Sequence, residues 1–239
     1  MKRLLSLKKV DLLTSPSIEN WLSTLRDKDT DAPTFKKNAD NLALAIGIEL
    51  ANQLPMETRS IITPIASMQA NFIKSEQILL VTILRSAYPM CLGMHKALPN
   101  SLITVVDIKR NEKTALPILY YDGLPKSLAS VHRIIVPDPM LATGGSASMI
   151  LDMLIKRGAK HIQFVSLVAA HEGIERITRL FPQVSITTCA IDKDLNAKKY
   201  IIPGLGDFGD RYFDDEQLTI EDSYNHKILH YRNGRLSIE

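Results

Sequence analysis

Between Ile134 and Leu154 the chain reads IIVPDPMLATGGSASMILDML: a branched apolar run, the acid Asp138, the turn Thr143-Gly144-Gly145-Ser146, then an apolar-periodic segment. Strand, acid, Gly-rich loop and helix in that order make a site for an anion. At the carboxyl end of a parallel strand a loop opens into the crevice where ligands bind, and two glycines let main-chain N–H groups approach closely. Those N–H groups and the start of the next helix favour a phosphate, through hydrogen bonds and the helix dipole. Thr143 and Ser146 add hydroxyl donors. Asp138, at the strand end, can accept hydrogen bonds from the hydroxyls of a sugar whose phosphate sits in the loop. Together they suit a ribose phosphate. A lone Gly-Gly more often only ends a strand, and a lone Asp only caps a turn; here all four parts stand in register. The pattern is neither GxxxxGK[ST] nor GxGxxG, which argues against a nucleotide-dependent kinase.

Positioning such a loop calls for a parallel sheet, and the rest of the chain supplies the strands. Short branched-aliphatic runs at Ile78 to Leu84, Leu102 to Ile108, Arg133 to Asp138, Ile162 to Val168 and Val184 to Ile191 alternate with helically spaced stretches. That alternation predicts an α/β fold with a largely parallel sheet flanked by helices. Met149, Ile150, Met153 and Leu154 recur at helical steps, and Lys156-Arg157-Gly158 forms a cationic helix end with a left-handed glycine. A second helix runs over Glu172 to Leu180 and stops at Pro182. Leu42, Ala45, Ile46, Leu50 and Ala51 form one stripe and predict a helix from about Lys37 to Leu54, with no chemistry around it. Asn233-Gly234 in HKILHYRNGRLSI suits a small β-hairpin.

The chain has 239 residues, 45% of them apolar, 23% charged and 6% aromatic, and no low-complexity stretch divides it. One domain is expected over 1–239, with a helical amino-terminal part (about 1–75), a core (about 76–213) and an extension (about 214–239). A formal charge of +3, with its basic residues scattered, argues against a nucleic-acid partner and leaves anionic small molecules open. Apolar runs far short of about 20 residues exclude a membrane-spanning helix. Lys8 and Lys9 interrupt any signal-peptide core. Cys91 and Cys189 stand far apart in the chain, so a disulfide framework is not expected and a cytoplasmic setting fits. The six histidines show no metal-ligand spacing.

DPMLATGGS, Asp138 to Ser146, resembles the phosphoribosyl pyrophosphate (PRPP) loop of uracil phosphoribosyltransferases. YIIPGLGDFGDRYF, Tyr200 to Phe213, is similar to that family's carboxy-terminal uracil-binding segment. TILRSA around Arg85, IKRNEKT around Arg110 and the LVAA–EG segment at Leu167 to Gly173 add weaker matches. The resemblance runs colinearly from about Ile78 to Phe213.

The resemblance implies a phosphoribosyltransferase fold with a small hood, and transfer of ribose 5-phosphate from PRPP to N1 of uracil, giving UMP and pyrophosphate with Mg²⁺ bound through PRPP. It implies a homodimer or larger homo-oligomer. Residue by residue, it assigns PRPP to Arg85, Arg110, Asp138, Pro139, Met140, Leu141, Ala142, Thr143, Gly144, Gly145, Ser146 and Asp207. Uracil falls to Met140, Ala142, Ile202, Gly206, Asp207 and Phe208, and catalysis to Asp138, Arg110 and Asp207. These assignments meet a physical need. Uracil presents an acceptor, donor, acceptor edge that main-chain groups of a Gly-rich loop can match, and pyrophosphate is a dense polyanion suited to guanidinium.

The chain departs from the family where Arg85-Ser86-Ala87-Tyr88-Pro89 replaces Arg-Ala-Gly and a further glycine, which stiffens the loop expected to receive pyrophosphate. His171, Lys113 and Asp214-Asp215 also depart from the usual residues. Three readings follow: an active uracil phosphoribosyltransferase, a PRPP- or UMP-binding regulator that has lost turnover, and an enzyme for another pyrimidine-like base.

Overall fold

The computed structural model describes residues 9–74, 77–98, 100–110, 117–214, 229–232 and 235–238. Its centre is a sheet of β1 (Val10–Leu12), β4 (Ile78–Leu84), β5 (Leu102–Arg110), β6 (Pro117–Asp122), β7 (Arg133–Pro137), β8 (Met140–Leu141), β9 (Ile162–Ala170) and β10 (Ser185–Asp192). The strand order is β1-β10-β9-β7-β4-β5-β6, with β8 also on β9. All neighbours are parallel except β5 and β6. The five aliphatic runs of the sequence are β4, β5, β7, β9 and β10. β9 is buried along its whole length, as a strand covered on both faces must be.

Helices cover both faces. On one side lie α1 (Pro16–Arg26), α2 (Ala32–Ala51) and α3 (Ala87–Ala97); on the other lie α4 (Gly145–Lys156) and α5 (His171–Leu180). β9 feeds both layers, Val165 and Leu167 packing on one side and Phe164 and Ala169 on the other. α2 and α3 pack closely because a Cβ at Gly93 would stand 2.5 Å from that of Ala43. α4 ends as its sequence indicates, with Gly158 at φ +87°. Among the described residues, no helix is long and apolar enough to cross a membrane.

The amino-terminal part is less helical than its apolar stripe suggests. α2 begins five residues ahead of Lys37, where the Asp31 carboxylate accepts the Thr34 N–H at 2.7 Å and Pro33 occupies the first turn. Cap and proline, not the stripe, set that start. β1 joins the main sheet as an edge strand. Residues 56–73 form a separate antiparallel hairpin, β2 (Met56–Ile62) and β3 (Ser67–Ile73), which among the described residues pair only with each other. β11 (Asp194–Leu195) and β12 (Ile201–Ile202) form a small hood, followed by α6 (Phe208–Phe213). In the extension, β13 (Leu229–Arg232) and β14 (Arg235–Ile238) pair antiparallel with Arg232 opposite Arg235; Asn233 and Gly234, where the hairpin turn is expected, lie outside the described residues.

Candidate active site

β7 ends at Pro137, and the chain steps away from the ladder for two residues before resuming as β8. Across that step the Asp138 N–H still donates to Val165 O at 2.9 Å, and Pro139 O accepts from the N–H groups of Leu167 and Val168. The step turns the half-buried Asp138 side chain into a cleft at the carboxyl ends of the strands. Burial pushes its carboxyl up to about 7, against a weak opposing hydrogen bond from Met140 N–H at 3.4 Å. A carboxylate so held gains from any donor or cation that enters.

The Gly-rich loop follows at once. Gly144, at φ +73°, is the N-cap of α4, and its carbonyl accepts from Ser148 N–H at 2.8 Å and Ser148 Oγ at 2.6 Å. The first-turn N–H groups of α4 that follow this left-handed turn have no carbonyl partner within the helix, the arrangement that favours an anion. A Cβ added at Gly145 would meet only Thr143 Oγ1, at 3.6 Å, so the space beside it is open. At Gly173, in the first turn of α5, a Cβ would stand 2.5 Å from Ala142 O. α5 therefore backs the loop directly.

The opposite wall is built from the hood and the segment that follows it. Tyr200 N–H donates to Asn196 Oδ1 at 2.9 Å and Asn196 N–H to Tyr200 O at 2.8 Å, closing the β11–β12 turn. Gly204 and Gly206 take φ of +61° and +81°, conformations open to glycine. Asp207 then caps α6 by accepting the Asp210 N–H at 3.1 Å. Between the walls lies a cleft of about 320 Å³, lined by Ser86, Asp138, Pro139, Met140 and Ala142 on one side and by Lys198, Lys199, Tyr200, Ile201, Gly206, Asp207 and Phe208 on the other. A second cavity of about 510 Å³ lies behind the same segment, against Arg26, Lys28 and Arg211. It touches none of the Asp138 to Ser146 segment.

The residues singled out in the sequence fall into three groups. Asp138, Pro139, Met140, Ala142, Gly206, Asp207 and Phe208 line one cleft. Phe208 is nevertheless almost wholly buried, its ring 5.5 Å from that of Phe35 and 5.6 Å from that of Tyr212, so it meets the cleft as part of the core. Thr143 and the cap Gly144 lead into Gly145 and Ser146, the first residues of α4, and none of the four is among the residues lining that cleft. Leu141 turns its side chain into the core, and Ile202 is exposed while its neighbour Ile201 forms the wall. Arg85 is exposed, with its guanidinium carbon 4.7 Å from the Phe213 ring centroid. Arg110 is the last residue of β5, and its side chain lies outside the described residues, as do Lys113 and Asp215.

Ser86 and Tyr200 stand within segments that the resemblance covers without being assigned themselves, and Lys198 and Lys199 are cleft residues that no sequence argument touched. The adjacent lysines before the YIIPGLG motif were the available signal. Lys199 holds a left-handed φ of +66°, and its Nζ stands 3.7 Å from Glu172 Oε2 on α5. The stiffening expected from Tyr88-Pro89 does not fall on the loop. Ala87 already begins α3, so Pro89 occupies its first turn, where the missing N–H is of no consequence. Arg211 shapes the base-side segment by donating to Leu205 O at 2.8 Å, to Asp27 O at 2.6 Å and to Leu25 O. Cys91 and Cys189 are buried thiols pushed up to about 12 by desolvation.

Comparison with known proteins agrees with this geometry. The family profile described as uracil phosphoribosyltransferase matches residues 12–214, so the likeness reaches back well before Ile78 and includes the amino-terminal helices. The uracil phosphoribosyltransferase of Streptococcus mutans is 39% identical over 205 residues, covering 86% of this chain and 98% of its own. That of Clostridium kluyveri is 38% identical over the same coverage. Among solved structures, the AQ2163 protein from Aquifex aeolicus superposes with a TM-score of 0.78 at 34% identity, covering 85% of this chain and 97% of its own. The adenine phosphoribosyl transferase of Trypanosoma brucei, at 9% identity and a TM-score of 0.51 over 77% of this chain and 84% of its own, shares the fold. The chain belongs to the uracil phosphoribosyltransferase family.

Proposed function

We propose that this protein transfers the ribose 5-phosphate of PRPP to uracil in pyrimidine salvage. The observation that carries the reading is that the acid-and-glycine segment, through Asp138 to Ala142, and the base-side segment, through Gly206 to Phe208, line one cleft. In the reaction the C1–O bond to pyrophosphate breaks and the bond from uracil N1 to C1 forms. The first-turn N–H groups of α4, with Thr143 and Ser146, hold the 5-phosphate. Asp138 accepts hydrogen bonds from the ribose hydroxyls. Main-chain groups around Gly206 read the edge of the base, and Asp207 stands beside it to receive the N1 proton. Arg85 and Arg110 neutralise the pyrophosphate. With a loose transition state, orientation and charge neutralisation contribute more than a strong base.

Mg²⁺ would arrive bound through PRPP, and the cleft wall fits it: Asp138 and Asp207 carry carboxylate oxygens there that would be hard donors toward the ion, which characteristically takes one or two carboxylates together with substrate phosphates. When bound, the ion offsets charge on the leaving pyrophosphate. The reaction belongs in the cytoplasm, where two buried thiols remain reduced. The hairpin β2–β3 supports a homodimer. It stands apart from the main sheet with Ile62 85% and Ile65 96% exposed, and a lone two-stranded ribbon is marginal in water without a partner surface.

The test is UMP formation from uracil, PRPP and Mg²⁺, with cytosine, hypoxanthine and orotate run in parallel and Mg²⁺ withheld in one arm. UMP from uracil alone is expected. PRPP binding without any product would make the protein a ligand-binding regulator, and product from another base would move the acceptor.

A further inference from the structure

Behind the base-side segment, three distant parts of the chain meet at one peptide. Arg26, the last residue of α1, directs Nη1 to Asp192 Oδ2 and Nη2 to Asp192 Oδ1, both at 2.8 Å. The same Nη1 donates to Gly204 O at 2.8 Å, and Asp192 Oδ2 accepts the Gly204 N–H, also at 2.8 Å. Both main-chain groups of Gly204 are therefore fixed by one ion pair, and the next carbonyl, Leu205 O, is held by Arg211 at 2.8 Å. Asp192 is 7% exposed and Arg26 23%, so the pair works in a setting where bidentate geometry counts.

The position of the pair gives it a use beyond packing. Gly206 lines the catalytic cleft on one side and the rear cavity on the other, so the segment is a wall one chain thick. Gly204 and Gly206 are both left-handed, and such a wall has little stiffness of its own. If uracil is read by main-chain groups of this wall, their aim depends on what holds its back. We propose that Arg26, acting through its bidentate pair with Asp192, is a positioning residue for the uracil-reading main chain, so that the amino-terminal segment forms part of the base site. The inference rests on the uracil-transfer reading above.

Arg26→Ala, Arg26→Lys and Asp192→Asn test it, each assayed for KM of uracil and kcat, for PRPP affinity by calorimetry without uracil, and for hydrogen exchange across 200–207. Arg26→Ala is expected to raise the uracil KM or lower kcat by about 10- to 100-fold, the scale of a displaced reacting group. PRPP affinity should fall several-fold less than uracil use, because the α4 loop is untouched and Asp207 alone of the PRPP residues lies in the loosened segment. Exchange across 200–207 should quicken. Arg26→Lys retains charge without the planar fork and should fall between wild type and Ala. If Arg26→Ala does not fold, Asp192→Asn and Arg26→Lys carry the same comparison. An unchanged uracil KM and kcat in folded variants, or PRPP affinity falling as much as uracil use, overturns the proposal. Should the wild type make no UMP, the functional reading fails; unchanged exchange at 200–207 in the variants then sinks the clamp separately.

Discussion

The guanidinium of Arg85 lies over the ring of Phe213, 4.7 Å from its centroid, so the residue that follows β4, proposed above to meet pyrophosphate, is braced by the last residue of α6. Phe213 thereby links the arginine to the element that Asp207 caps. A cation–π contact at an exposed position contributes about 0.5–1 kcal/mol, so Phe213→Ala should weaken PRPP binding by about two- to five-fold. Phe213→Tyr, which keeps the ring, should leave it unchanged. Calorimetric titration with PRPP distinguishes them, and equal losses in both variants would remove the ring from the account.

Asp138 should make PRPP affinity and stability depend on pH in opposite directions. Its carboxyl titrates at about 7 in the folded protein against 3.8 unfolded, because burial disfavours the charged form. The folded state thus holds the extra proton between those values. Stability from this group is full below 3.8 and is lost as pH rises through 7. Ribose hydroxyls need the ionised form as acceptor, so PRPP affinity should fall as pH drops below about 7. Asp138→Asn should flatten that profile, abolish turnover and yet stabilise the free protein at pH 8, on the order of 2 kcal/mol after allowance for partial exposure. Thermal melts at pH 5 and pH 8 check the sign. A lower Tm for the variant at pH 8 would contradict it.

The two adjacent loop glycines should respond differently to a methyl group. At Gly144 the φ of +73° strains any L side chain, and a Cβ would come within 3.3 Å of Arg176 Cδ. Gly144→Ala should therefore lose about 1 kcal/mol of stability. Gly145 is helical, and its Cβ would make only an ordinary contact with Thr143 Oγ1. Gly145→Ala should fold as the wild type does and, with the 5-phosphate at the start of α4 as proposed, should lose PRPP affinity because the methyl takes that space. Melting curves beside PRPP titrations separate the cases, and a Gly145→Ala protein with normal PRPP affinity would displace the phosphate from this loop.

Ser86 and Gly209 bring the β4–α3 turn and the start of α6 together. A Cβ at Gly209 would stand 2.9 Å from Ser86 Oγ, closer than real contacts allow. Gly209→Ala should cut kcat/KM by about ten-fold or more by pushing the two segments apart, and the added Ser86→Gly change should restore part of it. A double-mutant cycle measures that coupling; strict additivity would mean the clash is relieved elsewhere.

The core of this arrangement was legible because its signals are local. Strands β4, β5, β7, β9 and β10 announce themselves as short aliphatic runs, and the Asp138 to Ser146 segment carries acid, glycines and helix start within nine residues. What stayed hidden depends on contacts between remote segments. Arg26 meets Asp192 and Gly204 across more than 160 residues, and nothing in the spacing around Arg26 marks it. The depth of Phe208 is set by Phe35 on α2, and the path of Lys199 by a left-handed turn that lysine rarely adopts. β1 leaves no mark in the sequence because three residues, the last two of them exposed, carry no alternation to read.

The hairpin β2–β3 should hold two copies of the chain together. Its strands pair in register from Met56 with Ile73 to Ile62 with Ser67, and the tip exposes Ile62 and Ile65 almost completely. Met56, Met68 and Phe72 extend the apolar surface along the ribbon. Exposed apolar area of this kind on a two-stranded ribbon is a cost in a monomer and an asset at an isologous contact. Replacing both Ile62 and Ile65 by Asp should convert a dimer to a monomer in native mass spectrometry or sedimentation, with far-ultraviolet circular dichroism unchanged because the main sheet does not include the hairpin. A wild-type monomer at micromolar concentration, or a dimer that survives both substitutions, would place the contact elsewhere.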